Sequence, residues 1–230
     1  MNIKQAFAGL TVFERSLWLV GMALIAGSFW LCGSGDVLVL VASLLGATAL
    51  IFLARGEPLG QVLVIIFSLL YGYISLRQRY YGELITYVGM TAPMAVISLA
   101  AWLRHPYRPG ESQVTVSSVS RRSALVLVVL TGLVTWGFYY ILRAFDTPNL
   151  ALSTLSVATS FFAVGLTVVR SPLYALAYAG NDLVLIGLWA LASRQDLTQL
   201  PMVACFLIFF VNDGYGFVNW RKMKRLQSRG

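Results

Sequence analysis

Long apolar stretches separated by short polar links make up most of this chain. Eight of them approach the roughly 20 residues that an α-helix needs to cross a bilayer. They cover residues 16–33, 36–54, 58–76, 83–103, 123–142, 148–169, 172–192 and 199–220. Helices satisfy their own backbone groups in lipid, which an open strand cannot do. The pattern therefore predicts an all-α integral membrane protein with eight transmembrane helices.

One long polar stretch interrupts this pattern and divides four predicted spans from four. It reads RHPYRPGESQVTVSSVSRR. The resulting division is an N-terminal amphipathic segment and extra helix (1–34), a first three-helix repeat (35–103), a loop (104–122), a linker helix (123–146), a second three-helix repeat (147–220) and a basic tail (221–230).

The two predicted triplets carry the same signals in the same order. ARGEPLGQVLVIIFSLLYGYISLRQ and VVRSPLYALAYAGNDLVLIGLWALASRQ both run from Arg through Pro-Leu and an apolar span to Arg-Gln. The spans that follow end at Trp102 and Trp220. Because both triplets start on the same side, we interpret them as parallel repeats, an arrangement known from transporters such as the SWEET class. Pro and interfacial Trp are also common in membrane helices, so chance recurrence stays open.

The distribution of charge predicts an orientation. Hydrophobic residues make up 58% of the 230 residues and charged residues 11%, with a net charge of +8. Thirteen basic residues fall on one side of the predicted membrane and four on the other; the thirteen are Lys4, Arg15, Arg55, Arg104, Arg108, Arg121, Arg122, Arg170, Arg221, Lys222, Lys224, Arg225 and Arg229. By the positive-inside rule, both termini and the loop are cytoplasmic. The basic tail then anchors the chain near anionic lipid and is no nucleic-acid site.

Enzymatic and metal-binding functions lack a motif here. The sequence has no HExxH, GxSxG or phosphate-binding loop. Cys32 and Cys205 stand alone in apolar stretches, and His105 has no ligand partner nearby. We expect no catalytic residue, no metal and no cofactor.

Two Asn-Asp pairs inside apolar spans are the main candidates for a binding site. They are Asn181-Asp182 and Asn212-Asp213, and no span core contains Lys or Arg. Charged residues at this depth are costly and usually face a bundle interior or a watery cavity. Adjacent helical residues point about 100° apart, so the two members of a pair face differently. Spacing places each Asn on a Tyr-bearing stripe, so we predict that the Asn residues face a shared pocket and that the Asp residues border it.

Other polar and aromatic residues extend this candidate site. Tyr178 shares a face with Asn181, and Tyr215 shares one with Asn212. Trp189 lies on the face of Asp182, and Tyr87 and Thr91 come just before Pro93, whose missing N–H can open a helix. Gln61 completes the set. A structural polar network that only locks helices together is the competing interpretation.

Three blocks of sequence resemble the PnuC family of bacterial vitamin B3 transporters. They are RYYGELITYVGMTAPMAVISLAAWL (79–103), RSPLYALAYAGNDLVLIGLW (170–189) and CFLIFFVNDGYGFVNWRKMKRLQ (205–227). The resemblance covers roughly residues 55–227 and implies a SWEET-like core of three helices, a linker helix and three helices, here with an extra first helix. It also implies a homotrimer in the bacterial inner membrane.

The resemblance further implies a substrate and a mechanism. Nicotinamide riboside would enter by facilitated diffusion and be trapped by a cytoplasmic kinase. Family members carry a Trp-x-x-x-Asn pattern whose Asn matches Asn181, but its Trp position falls on Ala177, beside Tyr178. The aromatic wall must then come from Tyr178, Trp189 or Tyr215. Transport of a related vitamin such as thiamine, and proton-coupled transport through Asp182 or Asp213, stay open as alternatives, as does a membrane subunit that transports nothing.

Overall fold

The computed structural model describes residues 3–31, 36–77, 81–108, 110–194, 197 and 200–229. Within these residues the chain is helical apart from its links, and eight helices are long and apolar enough to cross a membrane. This confirms the predicted all-α fold with eight spans. Cys32, named above from the sequence, lies outside the described residues.

The helices follow one another with short connections. They are α1 (Ile3–Ala8), α2 (Val12–Leu31), α3 (Val37–Ala54), α4 (Pro58–Arg77), α5 (Tyr81–Thr86), a π-helical turn (Tyr87–Thr91), α6 (Ala92–Leu103), α7 (Arg121–Ala144), α8 (Leu150–Val168), α9 (Leu173–Ser193) and α10 (Leu200–Gln227). The first triplet is α3, α4 and the span from α5 to α6; the second is α8, α9 and α10. The loop end is the end of the bundle that holds residues 104–122.

The fourth span is a helix interrupted by a π-turn. The amide of Ala92 donates to the carbonyl of Tyr87, five residues earlier. Pro93 follows at once, and its ring excludes the ordinary hydrogen bond and crowds the preceding turn. π-turns widen a helix locally and often occur at functional sites. The helix opening expected from Pro93 is therefore present, just before the proline.

The basic tail predicted at residues 221–230 is mostly helix, because α10 continues past the predicted end of the eighth span. α10 continues to Gln227, and its last turns lie against the loop. The Gln227 side chain accepts a hydrogen bond from the Val116 amide (2.7 Å) and donates one to the Val114 carbonyl (3.1 Å). Lys224 Nζ donates to Ser118 Oγ at 2.6 Å. The tail stays helical because the loop supplies these partners.

The ends of the two triplets exchange hydrogen bonds at the loop end. Trp102 Nε1 donates to the Thr167 carbonyl at 3.0 Å, and Trp220 Nε1 donates to the Leu53 carbonyl at 2.9 Å. Each Trp lies on the third helix of one triplet and donates to the end of the first helix of the other. Their rings lie 5.4 Å apart and are fully buried. The contact joins the two triplets across the centre of the bundle.

The loop follows the same reciprocal arrangement. The Val114 amide donates to the Gly56 carbonyl, and the Ser117 amide donates to the Arg170 carbonyl, both at 3.0 Å. Gly56 and Arg170 each end the first helix of a triplet with a positive φ, 69° and 57°. Val114 is completely buried. The polar loop therefore contains an apolar anchor that the composition of the stretch conceals.

Candidate functional site

An internal cavity lies between the two triplets. α3, α4 and the span from α5 to α6 form one side, and α8, α9 and α10 form the other. About 970 Å³ of space free of protein atoms lies between the lining residues, open solvent included. Leu53 lines its floor and belongs to the buried cluster of Trp102, Trp220 and Tyr174. That cluster separates the cavity from the loop end.

The second triplet supplies one polar wall. Ser153, Ser156 and Ser160 of α8 line the cavity next to Asn181 and Asp182 of α9. These serines recur at helical spacing, which brings their hydroxyls to one face of α8. Helix packing then sets α9 beside that face, and the wall becomes a continuous strip of hydroxyl, amide and carboxyl groups.

Asn181 is held in a fixed orientation on this wall. Its Oδ1 accepts hydrogen bonds from Thr159 Oγ1 at 2.7 Å and Ser160 Oγ at 3.0 Å. Both donors lie on the neighbouring helix, and Asn181 is 5% exposed. With its carbonyl oxygen occupied, the amide can offer its N–H₂ group to a molecule in the cavity.

Three carboxyl groups line the cavity. Asp182 of α9 and Asp213 of α10 both line the cavity and are buried. Asp182 Oδ2 has no hydrogen-bond partner among the described residues. Glu83 lies at the end away from the loop. No Lys, Arg or His from the described part of the chain lines the cavity beside these carboxyl groups.

Aromatic and aliphatic side chains form the opposite wall. Phe67 of α4 and Tyr87 of the π-turn line it, and Phe206 and Phe209 of α10 add two rings from the side of the second triplet. Phe67 and Tyr87 meet edge to face, with ring centroids 5.8 Å apart. The other residues of α3 and α4 that line the cavity have no polar side-chain group: Gly46, Ala49, Leu50, Leu53 and Val64. A flat ring could pack on this wall while its polar edges reach the other.

Six of the ten predicted site residues line the cavity. They are Tyr87, Thr91, Tyr178, Asn181, Asp182 and Asp213. The structure brings them together from three different spans. Whether they bind a substrate stays a prediction.

The other four predicted residues do not line the cavity. Gln61 is buried near the start of α4 with its Nε2 unpaired among the described residues. Trp189 lies nearer the end of α9, where its carbonyl accepts a hydrogen bond from Ser193. The aromatic wall expected from Trp189 comes instead from Phe67, Phe206 and Phe209, with Tyr178 as expected. Sequence spacing could not show this, because phenylalanine is equally common in ordinary helix packing.

Asn212 and Tyr215 contradict the predicted orientation of α10. Asn212 Nδ2 donates to the Ile208 carbonyl of its own helix, and Asp213, not Asn212, faces the cavity. Tyr215 turns toward the N-terminal helix, where its hydroxyl donates to Glu14 Oε1 at 2.8 Å. Glu14 Oε2 also accepts from Arg55 Nη1 at 3.0 Å. This polar network with α2 holds the stripe of Asn212 and Tyr215 on the outer side of the triplets.

Glu83 and Thr86 are cavity residues that the sequence did not single out. Glu83 lies in the link RQRYYGE, which the hydropathy pattern treats as a connection between spans. Glu83 lies in the first turn of α5 and lines the cavity. The serine stripe of α8 was visible as helical spacing, but such residues also mediate helix packing.

The described residues contain no group of three or more His, Cys, Asp or Glu side chains placed to hold a metal ion. The His105 ring nitrogen lies 2.7 Å from the Ala101 carbonyl, one turn earlier on the same helix. The cavity offers hydrogen bonds, rings and carboxyl groups and no cluster of metal ligands, which suits reversible binding of a small solute.

The sequence model of the nicotinamide mononucleotide transporter family matches residues 36–222, which is most of the chain. The chain belongs to this family. The match confirms the resemblance seen in the three sequence blocks and the predicted class, since the family consists of membrane transporters. It begins at Asp36, just before α3, so α1 and α2 precede the matched region.

Two relatives match almost the whole length of the chain. One is the nicotinamide riboside transporter PnuC of Neisseria mucosa, 24% identical over 98% of this chain and 87% of its own. The other is the nicotinamide riboside transporter PnuC of Haemophilus influenzae, 23% identical over 96% of both chains. A crystal structure of the vitamin B3 transporter PnuC superposes with a TM-score of 0.81 at 24% identity, covering 95% of this chain and 94% of that one. This similarity supports the fold.

Proposed function

We propose that this chain carries nicotinamide riboside across the bacterial inner membrane. The observation that carries the proposal is the lining of the cavity, which has three carboxyl groups and, among the described residues, no basic side chain. The family model names a mononucleotide, whereas both relatives are named for the riboside. A phosphate group carries about two negative charges and needs basic or N–H donors. A cavity lined by carboxyl groups therefore favours the riboside.

The shape of the riboside also suits the two walls. Its pyridinium ring can lie on Phe67, Tyr87 or Phe209, which line the apolar side. A cation held over an aromatic ring gains about 2 kcal/mol when water is excluded. The carboxamide and ribose hydroxyls can pair with Asn181 and the α8 serines. Thiamine, another cationic vitamin, is the second candidate, because the same walls would accept its charged ring.

A calorimetric panel on the purified protein tests the substrate. We expect nicotinamide riboside to bind more tightly than nicotinamide mononucleotide, because only the latter brings a phosphate into a cavity lined by carboxyl groups. Thiamine and free nicotinamide complete the panel. Tighter binding of the mononucleotide would contradict the proposal. Tighter binding of thiamine would change the proposed substrate and leave the proposed transport function standing.

We propose facilitated diffusion, with trapping by phosphorylation in the cytoplasm. Uptake into proteoliposomes should then proceed without a proton gradient and stop when inner and outer concentrations are equal. Accumulation driven by an imposed proton gradient would favour coupling through Asp182 and Asp213. An absence of uptake would favour the non-transporting subunit.

We propose that both termini and the loop are cytoplasmic. Single cysteines at Ser118 and Ser228, in a background without Cys32 and Cys205, test this; both serines are exposed in the structure. An impermeant thiol reagent applied to intact cells should leave both unlabelled and should label them after lysis. Labelling of either site on intact cells would show that the proposed orientation is wrong.

We also propose a homotrimer, as the resemblance implies. α7 supports this, because it leaves a broad apolar face uncovered that includes Leu125, Val129, Leu133 and Trp136. Lipid could cover the same face. Native mass spectrometry of the detergent-solubilised protein should give three times the chain mass, and a monomer mass would contradict the proposal.

A further inference from the structure

Two hydroxyl groups of α8 meet the side chain of Asn181 on α9. Thr159 Oγ1 lies 2.7 Å from Asn181 Oδ1, and Ser160 Oγ lies 3.0 Å from the same atom. Asn181 lines the cavity and is buried, whereas Thr159 does not line the cavity. Thr159 is therefore placed to affect a bound solute through Asn181 without touching that solute.

The hydroxyl proton of Thr159 bears on which end of the Asn181 amide faces the cavity. A hydroxyl can donate or accept, so distances alone would allow either the oxygen or the nitrogen of the amide to lie against α8. Thr159 Oγ1 also lies 2.9 Å from the Leu155 carbonyl and 3.1 Å from the Ser156 carbonyl. Carbonyls in the middle of a helix already accept from the backbone amides four residues later. The proton is therefore more useful at Asn181 Oδ1.

Ser160 gives the same direction. Its hydroxyl is hydrogen-bonded to Asn181 Oδ1 and to no other described residue. If the amide nitrogen lay against α8, the proton of Ser160 would have no acceptor among the described residues. An unpaired polar group inside a protein is costly. The oxygen of the amide therefore lies against α8, and its N–H₂ group is left for the cavity.

We propose that Thr159 is a positioning residue: together with Ser160 it fixes the Asn181 amide with its N–H₂ group toward the cavity, so that this part of the wall selects a solute with a hydrogen-bond acceptor. The inference rests on the proposed riboside transport, which makes the carboxamide oxygen the acceptor. An amide oxygen accepts more strongly than the hydroxyls of the ribose, and it lies at the edge of the flat ring.

Calorimetry of nicotinamide riboside with variants of α8 tests the positioning. Thr159→Val keeps the shape of the side chain and removes its hydroxyl; we expect at least about threefold weaker binding, because the amide is then free to turn. Thr159→Ser keeps the hydroxyl and should keep the affinity. Thr154→Val is the matched control, because Thr154 Oγ1 donates to the Leu150 carbonyl of its own helix and does not line the cavity.

Combined substitutions separate positioning from a structural role. In the Asn181→Ala protein, Thr159→Val should have no further effect on affinity, since no amide is left to orient. An equal effect of Thr159→Val with and without Asn181 would overturn the proposal. Thermal unfolding shows whether each variant has folded, and Thr159→Ala repeats the comparison if the valine variant does not fold.

Two analogues of the riboside test which atom Asn181 recognises. Acetylpyridine riboside keeps the carbonyl oxygen and replaces the N–H₂ group by a methyl group. Thionicotinamide riboside keeps the N–H₂ group and replaces the oxygen by sulfur, a weaker acceptor. We expect Asn181→Ala to weaken binding of the acetyl compound at least about fivefold, as for the riboside itself, and binding of the thioamide by less than about twofold.

The opposite results separate this inference from the proposed function. An equal or larger effect of Asn181→Ala on the thioamide would show that Asn181 presents its oxygen, as would wild-type protein that binds the thioamide and not the acetyl compound. Either result would overturn the inference and leave the proposed riboside transport standing. If the wild-type protein bound none of the three ligands, the proposed function would fall together with the inference.

Discussion

The two triplets make equivalent contacts at the loop end but present different side chains to the cavity. At the loop end Trp102 and Trp220 make the same hydrogen bond to opposite partners, and Gly56 and Arg170 end the first helices in the same left-handed conformation. In the middle, α3 and α4 give the cavity an apolar wall, whereas α8 and α9 give it hydroxyl, amide and carboxyl groups. Phe67 stands nine residues after Pro58, where Asn181 stands nine after Pro172.

The contacts at the loop end therefore serve assembly of the two triplets, whereas the cavity walls serve recognition of a solute. Reciprocal contacts at the ends hold two similar halves together and tolerate little change. A solute with a flat face and polar edges has no such symmetry, so the walls that meet it must differ. The reciprocal hydrogen bonds support our proposal that the triplets are parallel repeats.

The largest effect should come from removing either of the two tryptophans. We expect Trp102→Ala and Trp220→Ala each to lower the free energy of unfolding by about 3–5 kcal/mol, because each leaves a large cavity and removes a hydrogen bond to a helix end. Unfolding in detergent, followed by circular dichroism, measures both. Equal losses would support equivalent ends.

Trp136→Ala is the control for these two variants. Trp136 is 66% exposed on α7, so its loss should change stability little. If Trp102 could be replaced at no cost while Trp220 could not, the loop end would not be a pair of equivalent contacts.

A smaller effect should distinguish the two asparagines. Asn181→Ala should weaken substrate binding by about 1–3 kcal/mol, roughly 5- to 150-fold, because it removes the amide that Thr159 and Ser160 orient toward the cavity. Asn212→Ala should leave affinity unchanged, since Asn212 does not line the cavity. Calorimetric isotherms of the two folded variants decide this. Loss of affinity in Asn212→Ala would restore the orientation predicted from the sequence.

The smallest effect concerns the two left-handed helix ends. Arg170→Gly should raise stability by about 1 kcal/mol, because an arginine in this conformation is strained and a glycine is not. Gly56→Ala should lower it, since the new Cβ would be strained and would lie 2.8 Å from Met223 Cε and 3.1 Å from Val114 Cγ1. Melting temperatures should move in opposite directions, by about 2–4 °C for each kcal/mol. A rise in the melting temperature of both variants would show that the loop and α10 rearrange around residue 56.

Hydropathy alone predicted the eight spans, because a bilayer requires a helix of a certain length and excludes unpaired backbone groups. The order of Arg, Pro-Leu and Trp indicated two parallel repeats, which stays a prediction, and charged residues within apolar spans indicated a polar interior around Asp182 and Asp213. These properties belong to single helices or to their order. They can be obtained without knowing how any helix packs.

The rotation of each helix was decided only by the tertiary structure. Asn212 and Asp213 are adjacent, so turning α10 by about 100° exchanges one for the other. The turn is set by contacts between residues far apart in the chain, Tyr215 with Glu14 and Trp220 with Leu53. Glu83 likewise reached the cavity because the short α5 helix and its π-turn direct the start of the fourth span inward. Spacing shows which residues share a face, but only the neighbouring helices determine where that face points.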